Sequence, residues 1–468
     1  MSRLNATDIQ GFVLRGYNMP YARYCMLHFG AAEQTRALIA DLLKVVTTGQ
    51  NWDGGKPAST VNIAFTHKGL IALELPIATL ISFPVEFQQG MKERGKILGD
   101  TGVNAPQYWD AVWRDGEVHA WLGINATSPA ALEHCTAEMK ALVESHGTSV
   151  LDTQDAAAIV VNGNVTLKEH FGFTDGFGNP DYLGVCRSTQ PGQGKLMPDG
   201  TWQSLATGEL LLGYADEAGE LPQAPVPHLL ASNGTFMVYR KLKQKVGTFR
   251  EFLNKWGARY GTGAAAAKEK LAAKFIGRWR DGTPLELSPD GSDQRIADDA
   301  QRSTNFTYGN DLDGAKCPIG AHIRRVHPRD AFGFNGALIN RRRITRRGMP
   351  YGPICLEEEE CPAADMDAVD RGIIFIALNA SLSRQFEFVQ QQWIEYGNDA
   401  KLGNEKDLLM AQHLPGEKYS VQGDLRPENP PLFCTDLPNF VELKGGDYFF
   451  LPSMTALGML ALGLVDPR

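Results

Sequence analysis

Apolar residues recur along this chain with two alternating periods, and the pattern predicts strands and helices interleaved almost from one end to the other. Residues 24–29 read as a strand, and 31–46 carry Leu38, Ile39, Leu42 and Val46 at helical spacing. The apolar runs 61–65 and 70–73, a helical stretch near 77–90, a strand at 118–122, a helix from about 129 to 145 and a strand at 158–161 continue the series. The second half repeats the theme with strands at 234–239, 343–347, 372–378 and 447–451, and with helices at 248–256 and about 381–393. The elements do not form regular βαβ units. Two halves of similar element order predict a duplicated α+β unit, each half an antiparallel sheet covered by helices.

A chain of 468 residues exceeds the size at which one hydrophobic core stops growing, so two domains are expected. A glycine- and proline-rich segment of little periodicity, 172–227, separates an N-terminal unit, 1–171, from a C-terminal unit, 228–468. Two further stretches, 281–318 and 357–366, are long enough to be functional loops. The acidic run 357–360 reads as a solvated face. The residues that follow the strand at 447–451 leave little room for a targeting tail.

Composition narrows the class. Hydrophobic residues make up 43% and charged residues 21% of the chain, as in an ordinary soluble globular protein. A net charge of -8 argues against a nucleic acid or an anionic membrane as the main partner and favours a small molecule. The arginines are nonetheless uneven, since Arg341, Arg342, Arg343, Arg346 and Arg347 lie within one short run. That run is either a solvated basic face or an anion site. The 7 cysteines are scattered, without CxxC or zinc-type spacing, and read as reduced thiols. The opening residues show no apolar signal core and no twin arginine, and no apolar run approaches the ~18 residues of a membrane span. A cytoplasmic location without a membrane partner is therefore expected.

Three segments hold residues with chemistry. Between His170 and Pro180, Asp175 sits among aromatic residues and glycines, which either hold a carboxylate in one rotamer or mark an ordinary Asp-Gly turn. Between Cys317 and Asp330, His322 and His327 lie among arginines, and either could ligate a metal. They do not make the ligand cluster of a d-block metal site, whereas a haem iron takes four nitrogens from its porphyrin and needs one axial imidazole. Neighbouring arginines, Arg324 and Arg329, would then partner the two propionates. Between Ile344 and Gly352, strand alternation sends Arg346 to the face opposite Arg347.

Together these segments resemble the dye-decolourising peroxidase family, in its larger bacterial and fungal-like branch. Gly172-Phe-Thr-Asp-Gly176 matches the family's GFxDG motif, Gly320-Ala-His-Ile-Arg324 its proximal-ligand segment, and Ile344-Thr-Arg346 before Gly-Met-Pro-Tyr-Gly352 its distal-arginine segment. Asp8-Ile-Gln-Gly11, Leu14-Arg-Gly-Tyr17, Ser383-Arg-Gln-Phe-Glu-Phe388 and Tyr448-Phe-Phe-Leu-Pro-Ser453 extend the resemblance over essentially the full length.

The resemblance implies a pair of ferredoxin-like units forming a dimeric α+β barrel-like fold, with the GFxDG motif on the linking segment. It implies haem b (iron protoporphyrin IX) as cofactor and hydrogen peroxide with small organic reductants as partners, leaving the oligomeric state open. His322 becomes the proximal iron ligand, and Asp175 and Arg346 become the distal catalytic pair. His327 precedes Pro328, which biases it to extended backbone, and the family motif aligns on His322. Asp407 is the candidate acceptor for the proximal imidazole, with Asp399 as the alternative, and Phe375 is a candidate lining residue of the distal pocket. Trp393 is either a relay of electrons from bulky substrates or a packing residue of an amphipathic helix. Two other classes stand beside the peroxidase: a haem carrier or iron-release protein, which would need His322 but neither Asp175 nor Arg346, and a non-haem anion-binding protein.

Overall fold

The computed structural model describes residues 4–186, 188–261, 264–356, 367–423 and 430–465. Its frame is one antiparallel sheet of 9 strands. The first unit supplies β1 (Tyr21–His28), α1 (Ala32–Leu42), β2 (Ser59–Phe65), β3 (Ala120–Ala126), α2 (Pro129–Ser145) and β4 (Ser149–Ala157). The second supplies β5 (Thr235–Gln244), α3 (Val246–Tyr260), α4 (Ala264–Ile276), α5 (His322–Val326), β6 (Thr345–Arg346), β7 (Met349–Tyr351), β8 (Gly372–Asn379), β9 (Val441–Leu451) and α6 (Met454–Leu462).

The strands run in the order β6-β8-β5-β9-β2-β3-β1-β4, with β7 also on β8. Within each unit the fourth strand lies beside the first, then the third, then the second, which is the ferredoxin-like arrangement. The two units join edge to edge where Phe450 of β9 pairs with Phe65 of β2. On the far side β7 approaches β4, so the double sheet curls into a barrel. Tyr24 of β1 and Tyr239 of β5 meet edge to face inside it, with ring centroids 6.0 Å apart. The duplicated α+β expectation holds.

Local chemistry accounts for the elements that the pattern foretold. In α2, Ser128 accepts from Ala131 N at 3.2 Å, Pro129 stands at the first turn, and Leu132, Cys135, Met139 and Val143 form the buried face. Where the pattern misled, long-range pairing is the reason. Ser149–Ala157 carries Asp152, Gln154 and Asp155, has no apolar alternation, and is a strand because β1 pairs with it. The apolar run at 158–161 yields only the two-residue strand Val160–Val161. The run at 70–73 lies in and just beyond a short helix, His67–Ala72, started by Thr66 accepting from Gly69 N at 3.0 Å. The helix expected at 381–393 is wound as two π-helical pieces, Ser383–Glu387 and Val389–Ile394. Helices α4 and α6 went unforeseen, and α6 occupies most of the stretch after the last strand.

The cysteine reading needs correction. Cys25, Cys135, Cys186, Cys317 and Cys434 are free, but Cys355 is disulfide-bonded. A disulfide needs two Cα atoms within about 7 Å and no CxxC spacing, so the absence of that motif does not exclude one. The loop expected at 357–366, with its acidic run, lies outside the described residues. Among the described residues no helix is long and apolar enough to cross a membrane.

Candidate active site

The segment 167–175 folds back on itself as a tight hairpin: Asp175 N donates to Leu167 O at 2.8 Å and Glu169 N to Phe173 O at 3.0 Å. This hairpin delivers Asp175 to β6. Arg346 Nη1 donates to Asp175 Oδ1 at 2.7 Å and Arg346 Nη2 to Phe177 O at 2.8 Å, while Arg346 N donates to Asn179 Oδ1 at 2.9 Å. Loop and strand are thus clasped along their length. Alternation along the chain turns Arg347 the other way, onto Phe12 O and Val13 O. The Asp175 side chain keeps 47% of its surface accessible although protein surrounds it, because that surface faces an internal cavity. Burial works to raise its carboxyl, but the Arg346 guanidinium and the Gly176 N–H outweigh burial and hold it below the usual carboxylate value.

His322 opens α5 and lines the same cavity. Its Nδ1 lies 3.0 Å from Asp407 Oδ2, and Asp407, with none of its side chain exposed, also accepts from Leu409 N and Met410 N. A carboxylate so held makes Nδ1 the protonated nitrogen and leaves the Nε2 lone pair free. Asp399 is exposed and takes no part. Arg325 fastens α5 by donating to Trp393 O, Glu405 O and Tyr396 O, which satisfies carbonyls at the end of the π-helical segment.

The cavity has a volume of about 300 Å³. Phe375 and Ile373 of β8 face it while Ile374 and Ile376 are fully buried on the other side of the strand, and Phe386 and Val389 of the π-helical segment complete much of the apolar wall. Besides Arg346, five arginines line it: Arg240 pairs with Asp100, Arg342 donates to Arg384 O and stacks on Phe388, and three more meet backbone carbonyls. Arg278 donates to Gly282 O and Ser303 O, Arg329 to Thr304 O and Phe306 O, and Arg343 to Gly194 O and Gly178 O. Among the described residues none of the three forms an ion pair with a carboxylate. Burial and mutual repulsion push Arg278 and Arg343 down to about 10.

Arg324 does not belong to this set, contrary to the expectation from sequence. It turns away from the cavity onto Asp311 Oδ2, Asp311 O and Cys317 O, with its guanidinium over the Tyr308 ring. On a short helix two neighbouring residues point about 100° apart, so Arg324 cannot share the direction of His322 two positions earlier. His327 lines the cavity between Arg329 and Arg343, but burial and those two cations hold it well below the usual imidazole value. Trp393 is only 4% exposed, packed edge-on against Phe388 and Phe332, so no large molecule touches its ring directly.

The arginine run is neither a solvated face nor one anion site. Arg341 pairs with Asp216 at 2.6 Å, Arg342 stacks on Phe388, Arg343 and Arg346 line the cavity, and Arg347 caps backbone carbonyls.

The model of the DyP dimeric alpha+beta barrel domain matches residues 27–158. Over 97% of this chain and 87% of the relative's, the sequence is 29% identical to peroxidase 2 of Mycetinis scorodonius. It is 27% identical to a multifunctional dye peroxidase of an Amycolatopsis species, over 97% of this chain and 95% of the relative's. An ancestral D-type dye-decolorizing peroxidase superposes with a TM-score of 0.84 at 27% identity, covering 97% of this chain and 99% of its own. A dye-decolorizing peroxidase in complex with 2,6-dimethoxyphenol superposes with a TM-score of 0.82 at 25% identity, covering 98% and 100%. Over nearly its whole length the chain is similar to dye-decolourising peroxidases.

Dye-decolourising peroxidases are haem enzymes, and the residues present fit that group. One imidazole with a free Nε2 and an anchored Nδ1 is the donor set that a porphyrin iron requires. Four cavity cations without carboxylate partners among the described residues, Arg278, Arg329, Arg342 and Arg343, are costly unless an anion enters, and haem brings two propionates. Arg278 was not foreseen, because a single arginine after an apolar helix carries no signal until Ser303 and Phe177 are folded against it. A second histidine group, His28, Glu117 and His119, gathers its ligand atoms within 4.8 Å. It does not chelate well: the two imidazoles stack nearly parallel at 4.2 Å, and His119 Nδ1 accepts from Phe29 N.

Proposed function

We propose that this chain is a haem b peroxidase that uses hydrogen peroxide to oxidise small organic reductants such as phenols and dyes, with His322 as proximal ligand and Asp175 and Arg346 as the distal pair. The observation that carries the reading is one cavity onto which a carboxylate-backed imidazole, a carboxylate–guanidinium pair and four arginines without carboxylate partners all open. Relatives named as dye-decolorizing peroxidases support the same chemistry.

His322 Nε2 would hold the iron, Arg329 with Arg278 and Arg343 would meet the propionates, and Phe375 would wall the distal side. When bound, haem supplies an iron centre that takes up the two oxidising equivalents of peroxide. Asp175, kept ionised by Arg346, would accept the proton from one peroxide oxygen and return it to the other, the departing oxygen, which leaves as water. The Arg346 guanidinium stabilises the negative charge that develops on that departing oxygen. Asp407 fixes the His322 tautomer and increases electron donation through Nε2. Bulky reductants would have to deliver electrons from outside the cavity, and Trp393 would serve only as a buried relay. The division into units 1–171 and 228–468 with the link 172–227 is supported by the two complete ferredoxin-like strand sets. A cytoplasmic location is supported by the five free cysteines and does not account for the disulfide at Cys355.

The test is the absorption spectrum of protein reconstituted with haem, before and after one equivalent of peroxide, for the wild type and His322→Ala. A Soret band that shifts with peroxide in the wild type and is lost or strongly altered in the variant is expected. Binding without a peroxide response favours a haem carrier, and no binding at all removes the assignment.

A further inference from the structure

The proximal side of the cavity has a visible positioning residue in Asp407, but the distal pair rests on a loop. We infer that Glu169 is the positioning residue of the distal pair: its buried carboxylate closes the 167–175 hairpin and thereby sets where Asp175 stands against Arg346. The inference deepens the peroxidase reading and rests on it.

The hydrogen bonds of Glu169 serve its own hairpin. Oε1 accepts from Phe173 N and Oε2 from Phe171 N, both at 2.8 Å, while its backbone N–H and C=O engage Phe173 O at 3.0 Å and Gly172 N at 2.8 Å. The two side-chain bonds satisfy N–H groups that the tight turn leaves without carbonyl partners. Gly172 makes that turn possible, with φ at +92° and a would-be Cβ only 2.7 Å from Arg280 Nη1. An apolar side chain of equal volume would fill the space and leave both N–H groups orphaned.

The hairpin is fastened outward at two strands. Gln244, at the end of β5, donates to Glu169 Oε2 at 2.5 Å, and His170 Nε2 lies 2.8 Å from Tyr351 O of β7. Strands β6 and β7 both pair with β8, so Arg346 and the anchor of the hairpin belong to one rigid strip of sheet. Asp175, whose N–H bonds to Leu167 across the hairpin, therefore has its position fixed relative to Arg346 by the turn that Glu169 closes. Burial, together with the Asp175 charge, pushes the Glu169 carboxyl up, and the donors Gln244, Phe171 and Phe173 counter it. Holding a carboxylate there has a cost that only its hydrogen bonds offset.

Glu169→Gln tests the role, because the amide keeps the shape but presents an N–H₂ to one of the two backbone donors. With haem bound, two quantities are read across the acid range: the rate of reaction with peroxide, and the rate of cyanide binding, in which hydrogen cyanide must surrender its proton at the distal side without any turnover. Both rates are expected to fall by about tenfold to a hundredfold, the cost of a displacement near 1 Å. Their acid limbs should move to higher pH as Asp175 loses contact with Arg346. A purely structural role would lower the yield of holoenzyme and leave the limbs in place. Rates within twofold of wild type and unmoved limbs would overturn the inference. If Glu169→Gln does not fold, Gln244→Met removes one of the three donors and should move both readouts in the same direction by less; unchanged readouts there overturn it equally. Wild type and Asp175→Asn serve as references. If wild type fails to react with peroxide, or Asp175→Asn binds cyanide as fast as wild type, the peroxidase reading falls; if both behave as expected and the Glu169 and Gln244 variants do not respond, only this inference falls.

Discussion

Replacing Arg346 with methionine removes the cation that keeps Asp175 ionised while preserving much of the side-chain volume. With Nη1 2.7 Å from Oδ1, the charge centres are about 4 Å apart, worth about 4 kcal/mol at an effective dielectric near 20. The two side chains keep 35% and 47% of their surface accessible, so water in the cavity screens the pair to a fraction of that energy. The carboxyl is depressed in the folded protein, so Asp175 serves as a base above its pKa and fails as pH falls through it. Without Arg346 burial prevails, and the failure comes at higher pH. Stopped-flow measurement of the peroxide reaction should show the acid limb of Arg346→Met at higher pH than that of wild type. The plateau should fall by about 10²–10³ through loss of transition-state stabilisation. Arg346→Lys keeps the charge and should move the limb less. An acid limb that stays put in Arg346→Met, whatever happens to the plateau, refutes the coupling of the two residues.

Asp407→Asn should weaken haem retention by about 10–100-fold, as second-sphere changes at metal sites do, and transfer of haem to a competing apoprotein measures it; equal transfer rates would remove Asp407 from the proximal role. Arg329→Ala should speed haem loss while leaving the fold intact. Arg324→Ala should leave haem retention alone and destabilise the protein by about 3–5 kcal/mol, because Asp311 loses its buried partner; the opposite assignment of effects would reverse the distinction between these arginines. His170 is held down at about 4 by burial. The stability tied to its neutrality is complete above about pH 6.5 and is lost as pH falls toward 4, at most about 3 kcal/mol. In His170→Gln, denaturation midpoints should therefore decline less steeply over that interval, and an identical slope counts against a titrating His170.

Local pattern carried the element types and the three chemical segments, because periodicity and turn residues act over a few positions. The 129–145 helix has the expected bounds, and β6 carries the alternation of Arg346 and Arg347, since capping and side-chain direction are local properties. The resemblance pointed to His322, Asp175, Arg346 and Asp407, and each of these lines or backs one cavity.

What the sequence by itself determined is the duplicated α+β architecture and the kinds of residue available for haem and peroxide chemistry. Only the tertiary structure decided which of two adjacent arginine-rich directions faces the cavity, with Arg329 in and Arg324 out. It alone distinguished Asp407 from Asp399, buried Trp393 and paired the polar strand β4. It also brought Arg278 and Glu169 to the site from positions with no local mark. The physical reason is common to all of these: each depends on partners distant along the chain, whose burial and hydrogen-bonding demands appear only once the chain is folded.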